Sequence, residues 1–414
     1  MSKNNKDFFK KKKVWSEVKD ELLGCYLVPY FNKIFRTRKP VLYVDCFAGK
    51  GKFDDGKDGS PLVALKCLDT SLEQSQENKI GAPNPRVFMR FIELYHAEAL
   101  KANIPVEYAG KTKVIPGAFE KEIINLLTNA IRTYRDLNAF LYVDPYGIKA
   151  LSMPLFLQLP EVFSSAELLI NLNSFGFIRE ALRVRKVALR ESEEELLSEL
   201  DEYEPSVSQS VDDLNRISGG EYWQYIVDQY ATEAINIDEA EKMFAEQYKQ
   251  QLRRSYNYVL DMPIRLHPGN KPKYRMVHAT NHPDGCTLMA DNIFKRTDYL
   301  VVMVQNKGQT TLLETTPENE LVVDADLDEK MMALIEKECV TKPLRLNELQ
   351  AKFFDAYGVI CSTKHLSSGS GGSSLKRLEK AGKINVIRNP KERNGKPTRF
   401  WTEKGKDTIE IMRK

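Results

Sequence analysis

Between residues 41 and 175 short runs of branched and aromatic residues alternate with stretches of helical periodicity. The runs are VLYVDCF, RVFMRFIEL, KVIPG, AFLYVDPYG and ELLINLNSF, and the first four are followed in turn by PLVALKCL, HAEALKAN, AFEKEIINLLTNAI and MPLFLQLPEVF. Runs this apolar cannot turn one face to water, and the intervening helices can cover both faces. The pattern predicts a parallel, doubly wound α/β sheet of the Rossmann-like kind. Upstream, VWSEVKDELLGCYLVPYFNKIF (14–35) repeats apolar residues every three or four positions, predicting an amphipathic helix over one face. Ser60 and Pro61 predict the start of the helix after the first run, with Ser60 as its cap.

After residue 177 the chain becomes charged and helical as far as 250, which predicts a helical insertion or lid. YNYVLDMPIRL and KYRMVHATN, joined by HPGNKP, then predict an antiparallel pair closing the sheet. A helix-like LMADNIFKR and a polar stretch lead to residues 325–414. There three helical patterns precede INVIRNPKERNGKPTRFWTE, read as two strands around a basic turn, and the order predicts a winged helix. The expected divisions are 1–39, 40–177, 178–250, 251–324 and 325–414.

The loop closing the first run, VDCFAGKGKFDDGKDGS, can be read for three ligands. A phosphate-gripping loop needs a hydroxyl after Gly51-x4-Gly56-Lys57, where Asp58 stands, and Asp54 and Asp55 add negative charge inside the cradle. A dinucleotide loop needs a third glycine where Asp54 stands and an immediate helix start. S-adenosyl-L-methionine (SAM) has no phosphate and is favoured. Gly49 and Gly51 would permit close backbone approach, Asp45 would accept from the ammonium and Glu93 would accept from the ribose. Phe47 completes the first motif, Phe119 would pack on adenine, and Glu120 would accept from it.

VDCFAGKG resembles the D-x-F-x-G-x-G motif of nucleic-acid methyltransferases, and VDPYG is similar to their D-P-P-Y/F motif without its second proline. That resemblance implies Asp144 as acceptor from an exocyclic amine, Pro145 as loop stiffener and Tyr146 as stacking platform on an extruded base. The missing proline moves the aromatic residue one place closer, which sets amine methylation in question but not SAM binding. A broader resemblance, over about residues 14–295, is to the bacterial and prophage three-Cys-motif partner proteins. It rests on Trp15, Lys19 and Tyr26, on VDCFAGKG, FIEL, VDPYG and INLNSFG, and on ATNHPDG. It implies a SAM-methyltransferase-like fold followed by a winged helix, and a partner carrying three cysteines in a radical-SAM-like motif. Three functions stay open: a methyltransferase acting on nucleic acid or within such a complex, a non-catalytic adaptor, and a protein or small-molecule methyltransferase.

Asn171, Asn173 and Ser174 are further candidates for a substrate mouth, with Asn281, His282, Arg265 and His267 weaker ones and Cys46 read as a small buried residue. Six dispersed cysteines and five histidines suggest reduced thiols and no metal centre. The lysine-rich start without an apolar signal core, and the lack of a membrane-length apolar run, lead us to expect a cytoplasmic protein. Charge is uneven: ESEEELLSELDEYE (191–204) carries eight acids and no base, so it should repel phosphate, whereas 375–414 carries thirteen Lys/Arg against five Asp/Glu. Lys376, Arg377, Lys380, Arg388, Lys391, Arg393, Lys396 and Arg399 are therefore the expected DNA- or RNA-facing set.

Overall fold

The computed structural model describes residues 9–79, 81, 84–133, 136–190, 193, 209–265, 272–305, 324–369, 372–393, 395–403 and 405–414. Most of the acidic segment 191–204, together with His267, lies outside them, and only the backbone of Arg265 is described. Two compact units result, Met1–Asn281 and His282–Lys414.

The first unit opens with helix α1 (Val14–Ile34). Strands β1 (Val41–Asp45), β2 (Val87–Glu93), β3 (Thr112–Pro116), β4 (Asn138–Val143) and β5 (Ser165–Leu172) follow. They alternate with α2 (Ser60–Glu77), α3 (Ala97–Asn103), α4 (Phe119–Thr133) and α5 (Met153–Val162). Helices α6 (Ser174–Val184), α7 (Val211–Ser218), α8 (Tyr222–Ala231) and α9 (Ile237–Leu252) lead to β6 (Tyr258–Arg265) and β7 (Pro272–Thr280). The sheet order is β3-β2-β1-β4-β5-β7-β6. Strands β1 to β5 are parallel, and β7 runs antiparallel to both β5 and β6. The expected closing pair is therefore antiparallel within itself, but β7 alone is reversed against the sheet. This α/β architecture, a mixed sheet of mostly parallel strands, is compatible with a Rossmann-like fold.

Both faces of the central strands are covered, which is why β1 and β4 are buried along their whole length. On one face Tyr26 and Tyr30 of α1 meet Phe140, whose ring is stacked on Tyr43 with centroids 5.9 Å apart. On the other, Val44, Leu141 and Ile170 share one core with Ile123 of α4 and Phe156 of α5. Phe177, Trp223 and Phe244 belong to that same core, and Phe177 stacks on Phe244 at 4.0 Å. The helices expected as an insertion or lid lie between β5 and β6 in the chain and pack on this face of the sheet. The reason is visible in the sequence: each carries large apolar residues on one side, and only the charged side was conspicuous.

The second unit contains α10 (Pro283–Gln305), α11 (Asp324–Glu338), β8 (Leu344–Arg345), α12 (Leu346–Tyr357), α13 (Thr363–Leu366) and α14 (Ser374–Lys380). Strands β9 (Ile384–Asn389), β10 (Glu392–Arg393), β11 (Lys396–Pro397) and β12 (Thr408–Arg413) follow. An antiparallel sheet β8-β12-β9 forms, with β10 and β11 paired separately. Two expectations change. The partner of β9 is β12, while residues 399–403 form no strand. The unit also starts well before residue 325, because Asp291 of α10 accepts from the Thr363 amide at 2.7 Å and hydroxyl at 2.6 Å.

Candidate functional site

Side chains alternate across a strand, so Asp45, Asp144 and Asn171 follow Tyr43, Tyr142 and Leu169 onto the face that α1 covers. They meet at the carboxyl ends of β1, β4 and β5. Between β1 and β4 the chain order reverses, the place where open α/β sheets leave a crevice.

The ends of β1 and β2 are tied together by backbone hydrogen bonds to carboxylates. Asp45 is fully enclosed and accepts from the Phe47 amide at 3.2 Å and the Ser60 hydroxyl at 2.6 Å. Ser60 is therefore not the cap expected of it: Gly59 is the N-cap, Ser60 is the first helical residue, and its hydroxyl turns to Asp45. Glu93 accepts from the Gly49 amide at 2.8 Å through one oxygen, and through the other from the amides of Tyr95 at 2.9 Å and His96 at 3.0 Å. One of its about four acceptor positions stays open. Gly49 and Gly51 have φ of 62° and 76°, left-handed values that favour glycine. Their missing side chains already have neighbours. A Cβ at Gly49 would lie 3.2 Å from the Phe9 ring, and one at Gly51 would lie 2.7 Å from Leu100. Phe47 packs on Phe119, centroids 4.9 Å apart, and Glu120 is exposed on the first turn of α4. Replacing Glu93 by Gln turns an amide nitrogen toward at least one of these N–H groups. It is expected to cost about 1–3 kcal/mol in urea unfolding, and an unchanged midpoint would show that the carboxylate does not brace the loop.

Asp144 is held by three side chains through four contacts. Lys19 of α1 donates to both of its oxygens at 2.7 Å, Asn171 donates at 2.7 Å, and the Tyr142 hydroxyl lies at 3.3 Å. Pro145 is buried, and Tyr146 is about half exposed at 51%. Asn173 caps α6 by accepting from the Gly176 amide at 2.8 Å, and the Ser174 hydroxyl donates to Glu241, so neither is directed to a substrate. Asn281 accepts from the Asn257 amide at 2.7 Å, bracing the strand end. His282 accepts from the Asp284 amide at 3.2 Å.

Lys19 belongs to the residues that carry the resemblance but has no place in the expected site, and Asp20 and Lys12 lie outside the motifs altogether. Lys19 sits on the same stripe of α1 as Leu22, Leu23 and Tyr26, and a cation on an apolar stripe is the signal that marks it. Asp20 pairs with Lys12 at 2.6 Å. Burial pushes the Asp45 carboxyl up to about 7, against the Ser60 and Phe47 hydrogen bonds, with Asp144 and Asp20 raising it further. Burial likewise pushes Asp20 up to about 6 against Lys12. Three carboxylates (Asp20, Asp45, Asp144) thus face two ammonium groups (Lys12, Lys19). Beside them the Tyr43 hydroxyl and the Asn171 side-chain oxygen are buried without a hydrogen-bond partner. Among the described residues no His, Cys, Asp and Glu cluster is placed to hold a metal ion. A separate cleft, lined by Phe88, Arg90, Lys113 and Glu122, lies away from these strand ends.

In the second unit the basic set divides. Arg388 points inward, donating to both Glu379 oxygens at 2.8 and 3.0 Å and lying over Trp401 at 4.9 Å, so it does not face a phosphate. Arg377 pairs with Asp328 at 2.7 Å and Asp324 at 3.1 Å, and Arg393 pairs with Asp407. Lys376 is half-buried and donates to the Gly369 carbonyl at 3.0 Å. Lys380, Lys391, Lys396 and Arg399 are exposed. Local carboxylates explain the division: a charge count along the sequence does not reveal which arginines their own fold neutralises. Among the described residues no helix is long and apolar enough to cross a membrane. Compared with protein-family models and with curated proteins, the chain matches none.

Proposed function

We propose that the first unit binds S-adenosyl-L-methionine and is a methyltransferase acting on nucleic acid, alone or within a complex containing a three-cysteine radical-SAM-like protein. The observation that carries this reading is the surplus of buried carboxylate at the ends of β1 and β4, beside a tight glycine loop. A nucleotide phosphate would oppose the ionisation of Asp45, the carboxylate left over after Lys12 and Lys19 are paired, whereas the ammonium and sulfonium of SAM would favour it. When bound, SAM supplies an electrophilic methyl group on sulfur. Asp45 acts by its field and by holding the loop, since its own oxygens are enclosed, and Glu93 offers its open acceptor position to the ribose. Phe47 and Phe119 supply an apolar wall for adenine, with Glu120 at its edge.

Asp144 and Tyr146 face the acceptor in this reading, and Pro145 fixes the turn between them. The second unit, read as a winged helix, adds Lys380, Lys391, Lys396 and Arg399 as phosphate contacts, whose effect would fall with salt. One observation favours the non-catalytic adaptor instead: Lys19, Asn171 and Tyr142 already engage all of the about four acceptor positions of Asp144. An incoming amine must displace one of them, and the Tyr142 contact is the longest. Incubation of the protein with methyl-labelled SAM and with DNA, RNA or protein extracts separates the readings. Label is expected in nucleic acid, with a loss of about 100-fold or more in Asp144→Ala. SAM binding without transfer to any fraction would favour the adaptor, and label in protein alone would move the acceptor class.

A further inference from the structure

The chain ahead of α1 lies across the glycine loop. Phe9, 8% exposed, brings its ring to 3.2 Å from where a Cβ of Gly49 would lie, and packs edge-on against His96 at 5.0 Å and tilted against Phe53 at 5.8 Å. The Lys50 ammonium lies 4.8 Å from the ring centre on a face of it. The Phe9 carbonyl accepts from the Asp54 amide at 2.8 Å, and the Lys12 amide donates to Asp55 at 3.0 Å. The Lys12 ammonium reaches the Asp58 carbonyl at 2.6 Å and Asp20 at 2.6 Å. Residues 9–13 belong to no helix or strand. Their contacts reach the loop 49–58, His96 and Asp20 through side chains and backbone groups rather than through a shared sheet or helix, so they can detach while the sheet stays folded.

We propose that residues 9–13 form a strap latched over residues 49–58, which must lift before a ligand reaches the backbone of Gly49 and the carboxylates behind it. The proposal rests on the SAM reading of that loop. Glycine at 49 serves the latch directly, because even a Cβ there would press on the Phe9 ring at 3.2 Å. Lys12 is the second fastening: it joins the strap to the loop at Asp55 and Asp58 and to α1 at Asp20, one of the three carboxylates. Lifting the strap therefore also uncovers negative charge, which a cationic ligand would compensate. A protein whose binding-competent form is a minor population shows an apparent affinity reduced by that fraction.

The test uses the full chain with SAM as probe, comparing wild type with Phe9→Ala. Association is expected to quicken and the apparent affinity to rise by about tenfold in the variant. An unchanged association rate, or weaker binding, would mean that Phe9 is a wall of the site and would overturn the strap. If neither protein binds the probe, the cofactor reading fails, and hydrogen exchange judges the strap by itself. The Asp54 amide should then exchange about tenfold faster in Phe9→Ala while amides of β1 and β4 keep their protection. Unchanged Asp54 exchange would overturn the proposal. Lys12→Met, which leaves the ring in place, is expected to shift both readouts in the same direction by less.

Discussion

Lys19→Met is expected to destabilise the first unit by about 3–5 kcal/mol, the range for leaving one member of a buried ion pair alone. Lys19 is 7% exposed and donates to both oxygens of Asp144, with Asp20 and Asp45 close by. Removing it leaves three carboxylates with Lys12 as their remaining cation, while the methionine fills much the same volume. The loss is therefore electrostatic. Lys19→Met combined with Asp144→Asn should recover most of it, since the uncompensated charge is removed, and the coupling between the two changes is read from a double-mutant cycle in urea. Independent, additive losses would show that Lys19 stabilises by packing alone.

The second large effect is on pH dependence. The folded Asp45 carboxyl is pushed up to about 7 from its ordinary 3.8 by burial, so between those values the folded state holds a proton that the unfolded chain releases. The contribution of Asp45 to stability therefore falls as pH rises from about 4 to about 7 and levels off above. The displacement amounts to a ceiling of about 4 kcal/mol. Asp20, pushed up to about 6, adds the same sign over the lower part of that window. Asp45→Asn can keep the contacts to Phe47 and Ser60 without titrating, and should flatten the profile through pH 6–7. A wild-type profile that does not fall relative to that of Asp45→Asn over this window would contradict the buried carboxylate.

How much of this was legible in the sequence follows from where the information sits. The strand runs of β1, β4 and β5 are apolar throughout, and burial on both faces requires that, so the parallel sheet could be read directly. Asp45, Glu93 and Asp144 could be placed because each ends such a run. What they touch could not. Ser60 looked like a cap, since a serine before a proline at a helix start usually is one, and only the approach of β1 makes Asp45 its partner. Lys19 and Phe9 act across 125 and 40 positions of sequence respectively, and no local pattern reports such distances. Arg388 and Arg377 looked like phosphate contacts until Glu379, Asp324 and Asp328 were seen beside them. The helices 211–252 were legible as helices but their packing was not: their charged sides dominate composition, while residues that join the core, Trp223 and Phe244, are widely spaced.

Isothermal titration of the folded protein with SAM at pH 7, repeated in two buffers of different ionisation enthalpy, addresses the central claim most directly. Saturable one-to-one binding accompanied by proton release is expected, because a cation beside Asp45 favours its ionised form, with that release absent in Asp45→Asn. No heat of binding at about 1 mM SAM, where even an affinity of about −4 kcal/mol would register, would contradict it. Binding with the same proton count in Asp45→Asn would place the cofactor elsewhere.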